Sequence, residues 1–169
     1  MSVLITRPEH DPTTKYISCW SQAIIDLASS KGIAVFDLRK ESANQQEFVG
    51  RIEKLNPTFV ILNGHGDDTS VTGHNNEILI QSGNNEHLLY SRITYALSCN
   101  SAAVLGVATT QVTATKYIGY TDEFIFSIDR RRLLKPLEDQ RAKPFMEASN
   151  QVAISLLKGH TAAEASRRS

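Results

Sequence analysis

The sequence contains little cysteine: Cys19 and Cys99 are the two cysteines among 169 residues. Two cysteines cannot build the disulfide framework of a small secreted domain, and they are too few for a cysteine-based zinc cage. This scarcity favours a reducing, intracellular environment. We therefore predict a cytoplasmic protein without a metal or other cofactor.

The sequence also lacks an excess of either charge. Lysine plus arginine number 18 and aspartate plus glutamate also number 18, so the formal net charge is zero. Proteins that bind nucleic acids or anionic membranes usually have a basic excess. No apolar run approaches the ~20 residues of a membrane-spanning helix, and the N-terminal stretch MSVLITRPEH lacks the features of a signal peptide. We expect neither nucleic acid nor a membrane as a partner.

The sequence does contain a regular alternation of strand-like and helix-like segments. Apolar, strand-like runs occupy residues 2–6, 33–38, 58–62, 93–98 and 116–120. Apolar residues recur at helical spacing between the first three of these runs. The run TFVIL at 58–62 is almost continuously apolar, which is typical of a parallel strand covered on both faces. This order, with short right-handed crossovers, predicts an α/β fold with a mostly parallel sheet and helices on both faces.

We interpret residues 1–169 as a single domain. Residues 71–80 predict a small hairpin or flap, and residues 127–143 predict a mobile polar loop. Pro144 is placed to begin the last long helix. The segment from Thr161 to Glu164 resembles a capping box close to the end of the chain, which favours a helix cut short and a domain excised from a longer protein.

Two residues with catalytic chemistry lie where predicted strands end. In FVILNGHGDD, at positions 59–68, a strand leads directly into Gly64-His65-Gly66, and in RITYALSCNSA the next strand leads to Cys99. Functional sites of parallel α/β sheets gather beyond the carboxyl ends of the strands. If the two strands are neighbours, His65 and Cys99 open onto the same crevice.

A cysteine and a histidine in that position are able to perform nucleophilic catalysis. The Cys99 thiolate is the nucleophile, and the His65 imidazole takes its proton or stabilises its charge. The start of a helix after Cys99 would also favour negative charge beside it. The backbone N–H groups of Gly66 and Cys99 are candidates for an oxyanion hole. The simpler alternatives are that Cys99 is a small buried apolar residue and His65 a structural or surface residue.

The same segments resemble a known group of peptidases. FVILNGHGD, followed by a flap and RITYALSCNSAAVLG, resembles the histidine and cysteine blocks of caspase-like cysteine peptidases (clan CD). The segment KYIGYTDEF, then Asp139 and AKPFMEASNQVAISLLKGHTAAEA, is similar to the closing strand and helix of bacterial CHAT-type domains. The resemblance covers about residues 58–165. It implies a caspase-like three-layer sandwich and a cysteine endopeptidase that cleaves a protein or peptide substrate through an acyl-enzyme on Cys99, with His65 as general base or imidazolium partner.

The resemblance is incomplete around the cysteine. Leu97-Ser98 precede it where a pair of small residues is common, and Asn100-Ser101 follow it, so the aspartate specificity of caspases is not implied. No third catalytic residue is evident. Asp122 and Glu123 are candidate substrate-binding residues for an arginine or lysine side chain, with ordinary surface acids as the alternative.

Two other functions fit the same residues. The cluster H-x-D-D-x5-H, formed by His65, Asp67, Asp68 and His74, contains ligands that bind zinc or iron, which would indicate a metal-dependent hydrolase. An α/β domain of this shape is also able to serve as a non-catalytic interaction or regulatory module, because a fold of this kind is retained in some proteins that have lost the catalytic activity. A regulatory partner or domain is compatible with either function.

Overall fold

The computed structural model of the chain describes residues 1–168. Its strands are β1 (Ser2–Arg7), β2 (Ala34–Arg39), β3 (Phe59–Asn63), β4 (Ser70–Thr72), β5 (Ile78–Gln81), β6 (Ile93–Leu97) and β7 (Lys116–Ile118). Its α-helices are α1 (Pro12–Trp20), α2 (Gln22–Ser30), α3 (Gln45–Leu55), α4 (Val107–Thr110), α5 (Lys143–Leu157) and α6 (Ala162–Ser166). None of the helices within residues 1–168 is both long and apolar enough to cross a membrane.

Five strands form one parallel sheet in the order β2-β1-β3-β6-β7. The chain adds β2 on one side of β1 and then returns to add β3 on the other side. The direction of winding therefore reverses between β1 and β3. In open α/β sheets this reversal leaves a crevice beyond the carboxyl ends of the two strands, which is the usual place for a binding site.

The sheet is covered on both faces, as the continuous apolarity of β3 predicts. Phe59 and Ile61 are fully buried in a core that includes residues of α1, α2, α5 and α6. Val60 and Leu62 are equally buried in a second core that includes residues of α3 and of the strands β4 and β5. Alternate side chains of one strand thus enter opposite cores. The predicted α/β architecture with a parallel sheet is confirmed.

The predicted hairpin and terminal helices are also present. β4 and β5 pair antiparallel in a separate two-stranded sheet, and Val71, Leu79 and Ile80 bury it against the second core. α5 begins at Lys143, with Pro144 in its first turn. Before α6, the Thr161 and Glu164 side chains both make the bonds of a capping box.

The polar segment 127–143 is irregular but more firmly attached than predicted. It forms short 3-10 turns at Arg130–Arg132 and Pro136–Glu138. The Trp20 indole Nε1 donates to the Pro136 carbonyl oxygen at 3.1 Å, which fastens the segment to α1. At this point the segment is packed against α1 and is not fully solvated.

Asp139 is the main anchor of this segment. It is fully buried, and its carboxylate accepts from the Tyr16 hydroxyl at 2.8 Å and from the Asp129 N–H at 2.7 Å. The N–H groups of Arg141 and Ala142 donate to its other oxygen at 2.9 and 3.2 Å. Burial raises the pKa of Asp139, but these hydrogen bonds outweigh it, and the net pKa lies below the usual value. Asp139 is therefore held as a buried, fully bonded anion.

Asp139→Asn should strongly destabilise the fold, because both carboxylate oxygens accept from backbone N–H groups and the amide NH2 would face such a donor in either orientation. We expect a loss of at least about 2 kcal/mol in the free energy of unfolding at neutral pH. The folded-state pKa is lowered, so the contribution of Asp139 is complete above the unfolded-state pKa of about 3.9 and is lost as the pH falls through the folded-state value. Urea denaturation of both proteins over the acidic and neutral range measures this.

The control for this measurement is Asp26→Asn, on the exposed part of α2, which should change the free energy of unfolding by less than about 0.5 kcal/mol. An Asp139→Asn variant that is as stable as the wild type at neutral pH would contradict the assignment of Asp139 as a buried anchor.

Candidate functional site

β3 and β6 are neighbours, and their register brings His65 and Cys99 to the same level. The strands pair in parallel with Asn63 opposite Leu97. His65 and Cys99 each follow their strand end at the same distance along the chain. Paired strands lie about 4.8 Å apart, so both residues enter the same end of the sheet beside each other. The expectation that the two strand ends meet is correct.

Gly66 allows the loop after β3 to lie directly against the loop after β6. A Cβ atom on Gly66 would lie 2.0 Å from the Ser98 hydroxyl, 2.8 Å from the Ser70 carbonyl oxygen and 3.1 Å from the Cys99 carbonyl oxygen. Gly64 is equally constrained, since its Cβ would lie 2.0 Å from the Thr72 carbonyl oxygen. Both glycines are needed because the backbone passes between β6 and the hairpin without room for a side chain.

The two N–H groups predicted to form an oxyanion hole are not used by the fold. Gly66 lies opposite Val71 in an antiparallel bridge, and the bridge hydrogen bonds are made by the residues on either side of Gly66. In this arrangement the N–H of Gly66 points away from Val71. Within residues 1–168, neither Gly66 nor Cys99 donates its N–H to another backbone or side-chain acceptor.

His65 has a partner that the sequence did not suggest. Its Nε2 donates to Asp11 Oδ2 at 2.6 Å. The side chains are partly exposed, at 40% for His65 and 30% for Asp11. A hydrogen bond to one ring nitrogen fixes the orientation of the imidazole and leaves the other nitrogen for a different group. Asp11 therefore orients His65, and within residues 1–168 Nδ1 makes no hydrogen bond.

Asp11 is itself held in place by the helix that it begins. It is the N-cap of α1, where Asp11 Oδ1 accepts from the Thr14 N–H at 2.8 Å in a capping box. Burial raises the pKa of Asp11, but the hydrogen bonds from the Thr14 N–H and from His65 outweigh it, so the net pKa is lowered. One oxygen thus caps the helix while the other holds the histidine. In the sequence, the segment from Asp11 to Thr14 is typical of a helix N-cap. It follows β1, and this position was the one sequence feature that could have pointed to Asp11.

Two further histidines surround this pair. His10 Nε2 lies 3.3 Å from the same Asp11 oxygen, and the His10 ring centroid lies 5.9 Å from that of His65. On its other side the His10 ring contacts that of His74 edge-on, with 5.4 Å between centroids. His74 Nδ1 accepts from the Glu9 N–H at 3.4 Å. The His10 side chain is only 10% exposed, so the loop after β1 presents a largely buried imidazole to the site.

Backbone hydrogen bonds join the loops that follow β3, β6 and β7. The Asp68 carbonyl oxygen accepts from the N–H groups of Val104 and Leu105 at 3.2 and 2.9 Å. The Asn100 N–H donates to the Asp122 carbonyl oxygen at 3.1 Å, and Asn100 adopts a left-handed φ of 56°. Asparagine tolerates this conformation better than most residues. The three loops are therefore held as one unit around Cys99.

The helix after Cys99 begins irregularly. Residues Ala102–Gly106 form a π-helical turn before α4. The N–H of Ala102 donates to the Tyr120 carbonyl oxygen at 3.0 Å, and those of Val104 and Leu105 are bound to Asp68. These early N–H groups are engaged with backbone carbonyls, so the expected stabilisation of a Cys99 thiolate does not come from them.

The remaining predicted residues lie around this centre in different ways. Asp122 and Glu123 are exposed, and the backbone contact between Asp122 and Asn100 places them next to the cysteine loop. Their role in substrate binding stays a prediction. Cys19 lies on α1, where burial and then the Glu9 carboxylate raise the pKa of its thiol. A raised pKa disfavours the thiolate, so Cys19 is not a competing nucleophile.

The predicted metal cluster of His65, Asp67, Asp68 and His74 is not assembled. Asp67 Oδ1 accepts from the N–H groups of Thr69 and Ser70, both at 2.8 Å, and so serves its own turn. His74 faces Glu9. Within residues 1–168, the potential ligand atoms that converge within 4.8 Å belong to a different set: His10, Asp11 and His65. The metal hydrolase based on the H-x-D-D-x5-H spacing is therefore wrong in its ligands.

The positions of the cavities identify the candidate site less clearly than the positions of its histidine, aspartate and cysteine side chains do. One cavity of about 840 Å³ runs along the outer face of α3 and is lined by neither a histidine nor a cysteine. A smaller one of about 270 Å³ lies between His10, Asp11 and Lys15 on one side and Leu133 and Leu134 on the other. The smaller cavity adjoins the Asp11–His65 pair through Asp11 and has room for part of a ligand there.

No protein family, curated protein or solved structure matches the chain.

Gly66→Ala should disrupt the contact between the loop after β3 and the loop after β6. The added Cβ overlaps backbone oxygens of Ser70 and Cys99, and relieving that overlap should cost about 1–3 kcal/mol in the free energy of unfolding. Gly50→Ala is the matched control, because Gly50 lies within α3 and its Cβ would meet no atom within 4 Å. That variant should gain up to about 1 kcal/mol. Equal effects of the two substitutions in urea denaturation would refute the close packing at Gly66.

Proposed function

We propose that the chain is a cysteine endopeptidase of the caspase-like, CHAT-type kind, with Cys99 as nucleophile and His65 as its proton acceptor. The observation that supports this most is the register of β3 and β6, which places the two residues side by side beyond adjacent strand ends. Unused N–H groups on Gly66 and Cys99 add to it. The five-stranded parallel sheet covered on both faces is compatible with a caspase-like sandwich.

In the proposed reaction, Cys99 Sγ attacks the carbonyl carbon of a peptide bond and its proton passes to His65. Because Nε2 of His65 is bound to Asp11, the proton goes to Nδ1. The carbonyl oxygen becomes an oxyanion that accepts from the N–H groups of Gly66 and Cys99, an arrangement typically worth a few kcal/mol per donor. As the intermediate collapses, His65 Nδ1 returns the proton to the departing amine and an acyl-enzyme remains on Cys99.

The second half of the reaction uses the same groups. A water molecule gives a proton to His65 Nδ1 and attacks the acyl carbon, and the oxyanion is held as before. Cleavage of the thioester releases the carboxylic acid product, and the proton returns to Cys99. Asp11 supplies no proton in either half; its negative charge stabilises the imidazolium and its geometry keeps the ring in place.

The surroundings favour a basic side chain in the substrate. Asp122 and Glu123 are exposed beside the cysteine loop. Carboxylates in such a position bind arginine or lysine through charge-assisted hydrogen bonds. We propose that the residue before the cleaved bond is basic, and cleavage of a randomised peptide library by the wild type would reveal this preference.

Replacement of the two cysteines separates catalysis from a purely structural role. Cys99→Ala should abolish peptide cleavage and the rapid labelling by a thiol-reactive peptide electrophile, while its urea denaturation curve stays close to that of the wild type. Cys19→Ala is the matched control and should retain both reactions. His65→Ala should slow the labelling of Cys99 by about 100-fold or more, because it removes the proton acceptor.

The alternative of a non-catalytic interaction module gives a different result. It requires slow labelling of Cys19 and Cys99 at similar rates, unaffected by His65→Ala, and no cleavage of any library peptide. That outcome would overturn the peptidase proposal.

Asp11→Asn tests the positioning of His65. Asparagine is as good an N-cap as aspartate, so α1 and the stability of the fold should be nearly preserved. The charge that stabilises the imidazolium is lost, and we expect kcat to fall by at least about 10-fold with KM almost unchanged. Steady-state kinetics on a cleaved library peptide measures this, with Asp26→Asn as control. An equal fall in the control, or an unchanged kcat, would exclude the positioning role.

A further inference from the structure

We propose that His10, Asp11 and His65 form a binding site for a zinc ion, and that zinc bound there inhibits the thiol chemistry by occupying Nε2 of His65. The existence of the site depends only on the geometry of these three residues. Its inhibitory effect rests on the proposed peptidase function.

The spacing of the three ligand atoms fits a zinc ion. Zinc bonds to nitrogen and oxygen of about 2.0–2.1 Å in a tetrahedron place the ligand atoms ~3.3 Å apart. The Asp11 Oδ2 atom lies 3.3 Å from His10 Nε2 and 2.6 Å from His65 Nε2. All three atoms lie within 4.8 Å of one another. A small outward movement of His65, whose side chain is 40% exposed, brings the set to the required separation.

The types of ligand select zinc over the common hard cations. Two imidazole nitrogens and one carboxylate oxygen suit zinc, whereas magnesium and calcium prefer oxygen ligands throughout. Three protein ligands with a fourth position open to solvent are typical of accessible zinc sites. The exposed fractions of His65 and Asp11, 40% and 30%, give an ion a route from solvent.

The ligands are held in position before any ion arrives. Asp11 is fixed by its bonds to Thr14 at the start of α1. The His10 ring is packed between those of His65 and His74. His10 Nδ1 is buried, and within residues 1–168 it has no hydrogen-bond partner. His10 Nε2 lies 3.2 Å from Asn76 Oδ1 and 3.3 Å from Asp11 Oδ2, and both oxygens accept hydrogen bonds, so Nε2 bears the proton of the neutral ring when no ion is bound. Zinc binding moves that proton to Nδ1 and gives the ion the lone pair of Nε2.

Occupation of this site opposes the proposed reaction directly. Zinc on Nε2 of His65 replaces the proton that is shared with Asp11 and takes the Asp11 carboxylate as a ligand. The neutral ring then carries its proton on Nδ1, which leaves no lone pair there to accept another. The imidazole is no longer able to accept the proton of Cys99 and become imidazolium. The same three residues thus form a site whose two states, hydrogen-bonded and zinc-bound, differ in their ability to activate the thiol.

Calorimetric titration with zinc chloride tests the site without any need for activity. The full chain with Cys99→Ala, which removes the competing thiol, should bind one zinc ion. Adding His10→Gln should weaken binding by about 10- to 100-fold, whereas His87→Gln, an exposed histidine outside the cluster, should not change it. Zinc should correspondingly raise the thermal unfolding temperature of the Cys99→Ala protein and of the His87→Gln control. If the His10→Gln protein does not fold, Asp11→Asn replaces it in the same comparison.

Absence of zinc binding to the Cys99→Ala protein, or binding that is the same with and without His10, would overturn the site. Binding by the wild type that disappears in Cys99→Ala would also overturn it, because the thiol would then be the metal ligand.

Inhibition is measured separately on active protein. The zinc concentration that halves peptide cleavage should rise at least about 10-fold in His10→Gln relative to wild type, each compared with its own rate without zinc. Equal inhibition of the two would overturn the inhibitory role. If the wild type cleaves no peptide, the peptidase function and the inhibition fail together, while the calorimetric result still decides whether the zinc site exists.

Discussion

The parallel pairing of β3 with β6 is the interaction on which the candidate site depends. Its hydrogen bonds place Asn63 opposite Leu97, and every residue of β3 is buried between two cores. A slip by one residue would exchange the side chains that face each core, and both cores forbid it. The proximity of the loops bearing His65 and Cys99 is therefore a consequence of apolar packing. The positions of the two residues are thus set by strands that contain neither of them.

Backbone contacts between the loops after β3 and β6 fix how these loops lie relative to each other beyond the paired strands. Gly66 fits against the cysteine loop because it lacks a side chain, and the Asp68 carbonyl oxygen binds the start of the following helix. Such contacts resist small displacements of His65 and Cys99, and displacements of about 1 Å matter wherever two groups have to react with each other. Asp11 adds a third link. It begins the helix α1, which covers one face of the sheet, and it also bonds to His65 beyond the carboxyl end of β3.

The strand order along the chain, the hairpin and the pairing of the two strands that precede His65 and Cys99 were all predictable, since they follow from apolar runs and from the general rule for parallel sheets. Asp11 and His10 were not, because their proximity to His65 depends on β1 being next to β3, and a strand's neighbours are not written in its own sequence. The H-x-D-D-x5-H spacing predicted a metal cluster that is not formed, because residues that are close in sequence do not always converge in space. Asp67 turns back to bind the N–H groups of its own loop, so closeness along the chain did not become convergence of side chains. The buried anchoring role of Asp139 was not predicted, because its neighbours in sequence are mostly exposed.

Asp11 has two roles, as the N-cap of α1 and as the hydrogen-bond partner of His65, and together they restrict which substitutions are tolerated at this position during evolution. Serine or threonine at this position would still begin the helix well, so a lineage released from selection for activity would keep its fold while losing the negative charge. A lineage under selection for activity has fewer options, because few side chains both cap a helix and bear an anionic oxygen. The residue at position 11 would therefore distinguish descendants that retained an activity from descendants that retained only the fold.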